Sequence, residues 1–234
     1  MRSSSTKTLL LTCISFSLIA LLFFLSLQTQ PRKPTPTREL LIRPGFKSYD
    51  DYIQKQLQKT LNPTLISLWK TRDWRRKIDV FSLFFRELKD QNLLRNDSKA
   101  LCIGARVGQE VVALREIGVQ DSIGIDLVPS PPLVLQGDFH KQPFDDAVFD
   151  FEFSNVFDHA LYPERFVAEI ERTLKPSGVC VLHVAIKRRG DKYSANDLLS
   201  VEPLIQLFKS SDVVRVRRVD GFGLDTEVVF RKKG

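Results

Sequence analysis

The stretch from Lys99 to Asp126, KALCIGARVGQEVVALREIGVQDSIGID, constrains the fold more than any other part of the chain. Lys99 to Gly104 is a short apolar run ending in glycine, the pattern of a strand buried in a parallel sheet. Gln109 to Ile117 carries helical spacing, with Val111, Leu114 and Ile117 on one face and Gly118 as a stop. Ser122 to Ile125 reads as the next strand, and Asp126 stands at its C-terminal end. In an open parallel sheet, ligands lie at that end of the strands. A carboxylate about twenty residues beyond a glycine turn can accept from both hydroxyls of a ribose, each through a charge-assisted hydrogen bond. The order of elements predicts a nucleoside-binding half-fold. The same order also suits a βαβ unit in which Gly104 and Gly108 serve only close packing.

The remainder continues the alternation. Leu133 to Leu135 reads as a strand, and Phe149 to Ser154 alternates strictly, with Asp150 and Glu152 suggesting a polar face. Tyr162 to Leu174 is an amphipathic helix with Pro163 in its first turn, ended by Lys175-Pro176-Ser177-Gly178. Val179 to Ala185 is a buried strand, Ser200 to Lys209 a short helix, and Val213 to Val219 and Glu227 to Arg231 the closing strands. These last two lie too close together for a crossover helix, so they should pair antiparallel. The fold class expected is α/β, a mostly parallel sheet with helices on both faces.

Ahead of this domain, Thr8 to Gln30 carries no charge, and Leu9 to Leu27 nearly matches the thickness of a bilayer core. This predicts an uncleaved, single-pass transmembrane anchor over residues 1–30, with a cleaved signal peptide as the alternative, in the endomembrane system (endoplasmic reticulum or Golgi), its side undecided. Residues 31–47 read as a Pro-rich basic stalk, 48–98 as a helical extension and 99–234 as the main domain. Within the extension, Ser48 to Thr60 reads as a polar helix broken at Asn62-Pro63. Asp73 to Leu94 reads as a longer helix, with Asp73 as N-cap and Trp74, Ile78, Phe81, Phe85 and Leu88 along its core-facing stripe. Residues 1–98 hold 17 Lys and Arg against 8 Asp and Glu, whereas residues 99–234 hold 18 against 20. The basic excess therefore does not belong to the domain, and no nucleic-acid partner is expected. Cys13 falls in the expected anchor, and Cys102 and Cys180 fall in expected buried strands, so no disulfide framework is implied. No Cys/His cluster has metal-ligand spacing.

The succession resembles a class I S-adenosylmethionine-dependent methyltransferase of the type-11 sort, and more narrowly a plant group of membrane-anchored, methyltransferase-like proteins. The resemblance covers about Lys99 to Lys232 and is most specific in GDFHKQPFDDAVFDFEFSNVFDHALYPERFVAEIERTLKPSGVCVLHV. It implies a Rossmann-like sheet with an antiparallel last strand and S-adenosyl-L-methionine as cofactor. It also implies that the turn Gly104, Ala105, Arg106 and Gly108 wraps the cofactor's methionine end, that Asp126 holds the ribose, and that Leu127 is among the cofactor-binding residues. Asp138 and Phe139 would face the adenine, and Ser154, Asn155 and Val156 would lie beside the sulfonium. Two positions depart from the family pattern. Cys102 stands where a carboxylate is usual, and Arg106 where a glycine lets the backbone approach the ligand. Glu110 in the first helical turn would repel the pyrophosphate of a dinucleotide but not a sulfonium cation.

Asp158 and His159 are the candidate general bases for an acceptor that must lose a proton. The residues favour the plainer reading, Asp158 as a cap of the following helix and His159 as a packed turn residue. The charged run Lys187 to Tyr193 is placed to overhang the site. The expected function is methyl transfer to an unidentified acceptor. The alternative is a catalytically inactive scaffold that senses the cofactor or binds a partner.

Overall fold

A computed structural model describes residues 39–186 and 190–234. The expectation of an N-terminal transmembrane helix is corrected here. Among the described residues no helix is long and apolar enough to cross a membrane. The stretch read as the anchor lies outside the described residues. Neither the single-pass anchor nor the membrane localisation finds support, and neither enters the function proposed below.

The main sheet has seven strands: β2 (Ala100–Ile103), β3 (Ser122–Asp126), β4 (Val134–Gln136), β5 (Phe149–Ser154), β6 (Leu174–Val184), β8 (Ser211–Gly221) and β9 (Leu224–Lys232). Their order is β4-β3-β2-β5-β6-β9-β8. All neighbours pair parallel except β9, which runs antiparallel to both β6 and β8. The strand order reverses at β2, where β3 lies on one side and β5 on the other, so the crevice between their C-terminal ends is where a ligand belongs.

Helix α3 (Trp74–Asp90) forms because its apolar residues recur at helical intervals, and it buries Ile78, Phe81, Phe85 and Leu88. Phe85 meets Phe151 and Phe153 edge-on at 6.1 and 5.1 Å. Each such side chain withdrawn from water stabilises by roughly 1.5–3 kcal/mol. Helix α4 (Gln109–Glu116) packs beside α3 on the same face. Helices α5 (Pro163–Thr173) and α6 (Glu202–Leu207) cover the other face, where Phe166, Ile170 and Leu204 are fully buried. Asp73 precedes α3, yet its carboxylate pairs with Arg72 and makes no capping bond.

Helices α1 (Tyr49–Thr60) and α2 (Pro63–Lys70) precede α3. Asn62-Pro63, read above as a break, in fact starts α2, because Asn62 Oδ1 accepts from the Thr64 and Leu65 N–H groups and Pro63 suits the first turn. Strand β1 (Leu40–Ile42), inside the stretch read as a stalk, pairs antiparallel with β7 (Asn196–Leu198).

The polar face expected of β5 is not solvated. Glu152 is 0% exposed, and its Oε1 lies 2.6 Å from the Thr173 hydroxyl. Burial raises its pKa from 4.5 to about 8. Its contribution to stability is therefore fully present below about 4.5 and is lost as pH climbs through about 8. That loss is at most about 5 kcal/mol. Glu152→Gln should remove it. Denaturant unfolding at pH 5 and pH 8 should show the variant gaining on the parent by a few kcal/mol at the higher pH. An equal difference at both pH values would mean the carboxyl titrates normally.

Candidate active site

The glycine turn after β2 sets the site's floor. Gly104 and Arg106 both take left-handed backbone angles, φ 71° and 51°, and Gly108 follows at 90°. A Cβ on Gly104 would come within 2.4 Å of the Val156 side chain, and one on Gly108 within 2.7 Å of Leu133. These glycines are needed for both conformation and close approach. Arginine adopts the same region at some cost, since a side chain there crowds the backbone.

The turn is tied to the end of β3. Gly104 N–H and Ala105 N–H both donate to the Ile125 carbonyl, at 2.9 and 3.0 Å. The Arg106 N–H donates to Asp126 Oδ2 at 3.0 Å, and Val128 N–H reaches Oδ1 at 3.3 Å. Each carboxylate oxygen thus has one backbone donor and keeps acceptor capacity towards a ligand. Burial raises the Asp126 pKa, and these backbone donors oppose the rise.

Above this floor lies a cavity of about 320 Å³, lined in part by Gly104, Arg106, Asp126, Leu127, Phe139, Asn155 and Val156. Asp158 and His159, in the short 3-10 turn Phe157–His159, line it too. Of the residues singled out from the sequence, Ala105, Gly108, Asp138 and Ser154 do not. Ala105 packs beneath the turn at 1% exposure, and Gly108 opens α4. The buried Ser154 hydroxyl donates to the Ile103 carbonyl at 3.2 Å. Asp138 accepts from Tyr49 Oη at 2.5 Å and from the His140 N–H at 2.9 Å, bracing the segment that presents Phe139.

The opposite wall comes from the N-terminal helices, which sequence reasoning did not bring to the site. Gln56, Lys59 and Thr60 of α1, Trp69 of α2 and Lys77 of α3 all line the cavity. Tyr52 fastens α1 through its hydroxyl, which donates to the His159 carbonyl at 2.9 Å. Burial, with Arg106 nearby, pushes the Lys77 ammonium down to about 8. The hairpin between β8 and β9 adds Phe222, with Lys77 Nζ 5.2 Å from its ring centre. Lys187, Arg188 and Arg189 of the charged run lie outside the described residues, while Gly190 and Asp191 reach the cavity.

His159 sits between two polar partners. Lys59 Nζ lies 3.1 Å from its Nε2, and Gln56 Oε1 lies 3.0 Å from its Nδ1. An ammonium can only donate, so Nε2 accepts and Nδ1 carries the proton. Burial lowers the His159 pKa, which keeps the ring neutral. Lys59 also pairs with Asp191 at 2.6 Å, and Asp158 Oδ2 accepts from the Ser194 hydroxyl at 2.5 Å.

Residues 101–182 match a family model described as a methyltransferase domain. The 1,6-didemethyltoxoflavin-N1-methyltransferase of Burkholderia thailandensis, solved with S-adenosylhomocysteine, shares the architecture. Its TM-score is 0.61 at 16% identity, over 82% of this chain and 94% of that one. The domain has the class I methyltransferase fold. A SAM-dependent methyltransferase from Methanosarcina mazei shares this fold with TM-score 0.51 and 16% identity, over 62% of this chain and 97% of that one. The cyclase SpnF does so at 0.58 and 14%, over 78% and 96% respectively. No curated protein matches the chain significantly. The family match and the neighbour's bound S-adenosylhomocysteine support S-adenosylmethionine as the cofactor. They do not extend to the narrower plant group. Among the described residues no cluster suited to a metal ion is present.

Proposed function

We propose that this chain transfers a methyl group from S-adenosylmethionine to a small acceptor. The observation that carries the reading is Asp126, whose Oδ2 accepts from the turn's Arg106 N–H and whose Oδ1 accepts from the Val128 N–H just past β3, at the lip of a cavity at the sheet's reversal point. The residues present fit the cofactor. Asp126 would take the ribose hydroxyls, Leu127 and Phe139 the adenine, and Gly104, Arg106 and Asn155 the methionine end. Asp138 would act by bracing Phe139 rather than by touching the base.

When bound, S-adenosylmethionine supplies a methyl group on a sulfonium, displaced in line by the acceptor's lone pair with S-adenosylhomocysteine leaving. The chain's contribution is alignment and exclusion of water, through α1, Trp69 and Phe222 over the cavity. An acceptor with a proton to lose would displace Lys59 from His159 Nε2 and pass its proton there, with Asp158 3.9 Å away to favour the imidazolium. A small acceptor is supported by the neighbour that holds 1,6-didemethyltoxoflavin, and by a domain whose charges nearly balance.

Incubation of the full chain with methyl-labelled S-adenosylmethionine and fractionated small-molecule extracts tests this. Label should move to one fraction. His159→Asn should slow that transfer by about a hundredfold or more, in line with the usual contribution of a general base. S-adenosylhomocysteine affinity should stay within about threefold, since no cofactor contact is assigned to His159. Unaltered transfer would remove His159 from the chemistry. A second reading, an inactive cofactor sensor or partner-binding scaffold, is favoured by one observation. Arg106, where the family places glycine, lies over Trp69 at the cavity wall. Cofactor binding with no labelled product from any fraction would select it.

A further inference from the structure

A charged side chain stands where α3 should be apolar. Lys77 lies in the core-facing stripe of that helix, is only 8% exposed and lines the cavity. Among the described residues its ammonium makes no hydrogen bond and no ion pair. Of the charges that act on it, Arg106 opposes its own most strongly, and Glu110 and Asp73 offset this without pairing with it. Its Nζ rests 5.2 Å from the centre of the Phe222 ring, a weaker contact than a carboxylate would supply. Phe222 is itself out of place. With Gly223 it forms the two-residue turn between β8 and β9, at φ of 59° and 98°. Positive φ at both positions is the hairpin geometry that asparagine and glycine favour, and a bulky side chain there is strained. The ring is held at the cavity wall against Phe81, at 5.7 Å, with Gly221 and Leu224 lining the wall on either side.

A buried ammonium without a counter-charge is costly, and so is a phenylalanine in left-handed geometry, which points to a ligand that uses both. An anion beside a flat apolar body is such a ligand. It is not the cofactor, whose amino-acid end falls to Gly104, Arg106 and Asn155. Lys77 and Phe222 belong to α3 and to the β8–β9 hairpin, outside the matched span of residues 101–182. We propose that the methyl acceptor is a small aromatic carboxylic acid, its carboxylate received by Lys77 and its ring by Phe222. This rests on the function proposed above and names its acceptor class. His159 lines the same cavity, so an acid anchored on Lys77 shares its chamber with the proposed base.

Benzoate and its neutral isostere benzamide are the probes. Each is titrated by ligand-observed NMR into the full chain saturated with S-adenosylhomocysteine, so that the cofactor's own carboxylate already fills its place. Benzoate should bind at least about fivefold more tightly than benzamide, as expected for a charge-assisted contact. Lys77→Met, which keeps the length of the side chain, should bring the two probes within about twofold of each other and hold S-adenosylhomocysteine affinity within about threefold of the parent's. Phe222→Ala should weaken both probes, and a thermal melt checks the fold of each variant. Equal binding of the two probes by the parent, or binding of neither, overturns the assignment without recourse to any variant. So does a folded Lys77→Met variant that keeps the parent's preference, or one that loses S-adenosylhomocysteine, which would put the ammonium on the cofactor. A parent that takes up no S-adenosylhomocysteine is a distinct result, and overturns the function proposed above together with its acceptor class.

Discussion

Asp126→Ala should lower the affinity of the chain for S-adenosylhomocysteine by a hundredfold or more. Two charge-assisted hydrogen bonds to the ribose would be lost, each worth roughly 1.5–3 kcal/mol. The substitution also releases the Arg106 N–H, which Asp126 Oδ2 holds at 3.0 Å, so the glycine turn loses its tie to β3. Asp126→Asn keeps one acceptor oxygen and should lose less, about tenfold. Titration calorimetry measures both, and a thermal melt separates loss of ligand from loss of fold. Parent-like affinity in the alanine variant would remove Asp126 from the site.

Gly104→Ala should destabilise the fold strongly. The new Cβ would stand 2.4 Å from one Val156 methyl and 2.9 Å from the other, at a φ of 71° that disfavours any side chain. Left-handed geometry costs about 1–2 kcal/mol and overpacking typically another 1–3, so a loss of roughly 2–5 kcal/mol is expected in urea unfolding. Val156 also lines the cavity, so its displacement should weaken cofactor binding. Adding Val156→Ala should restore the overpacking share and leave the backbone share. A double variant no more stable than Gly104→Ala alone would show that contact with Val156 is not the cause.

The parallel core was legible because each piece carried its own local signal. Glycine stops, helical stripes and the alternation of Phe149–Ser154 placed β2, α4, β3 and β5 within a residue or two. Glu152 was misassigned because alternation tells two faces apart but not whether both are covered, and α5 brings Thr173 onto its carboxyl. The cavity floor followed from Gly104 and Asp126, which are adjacent in chain order to the strands that position them. The roof did not. Gln56, Lys59 and Trp69 reach the site through tertiary docking of α1 and α2, which no local pattern in residues 48–70 records. One signal was there to be used. Lys77 lies three residues after Trp74 and four before Phe81, inside the stripe read as core, and a lysine at such a position asks for a reason. Asp138 shows the converse limit: its place after Gly137 fitted both a turn cap and an adenine contact, and the donors that occupy it are the His140 N–H and the Tyr49 hydroxyl, the latter from 89 residues away.

The claim underlying all of this is that the crevice at the sheet's reversal point is an S-adenosylmethionine site and not a dinucleotide site. Calorimetric titration of the full chain near pH 7 with S-adenosylhomocysteine, and in parallel with NADH, addresses it directly. Saturable binding of one S-adenosylhomocysteine per chain is expected, and none of the dinucleotide, whose pyrophosphate Glu110 would repel. A natively folded chain that leaves S-adenosylhomocysteine unbound, or that takes the dinucleotide more tightly, would contradict it.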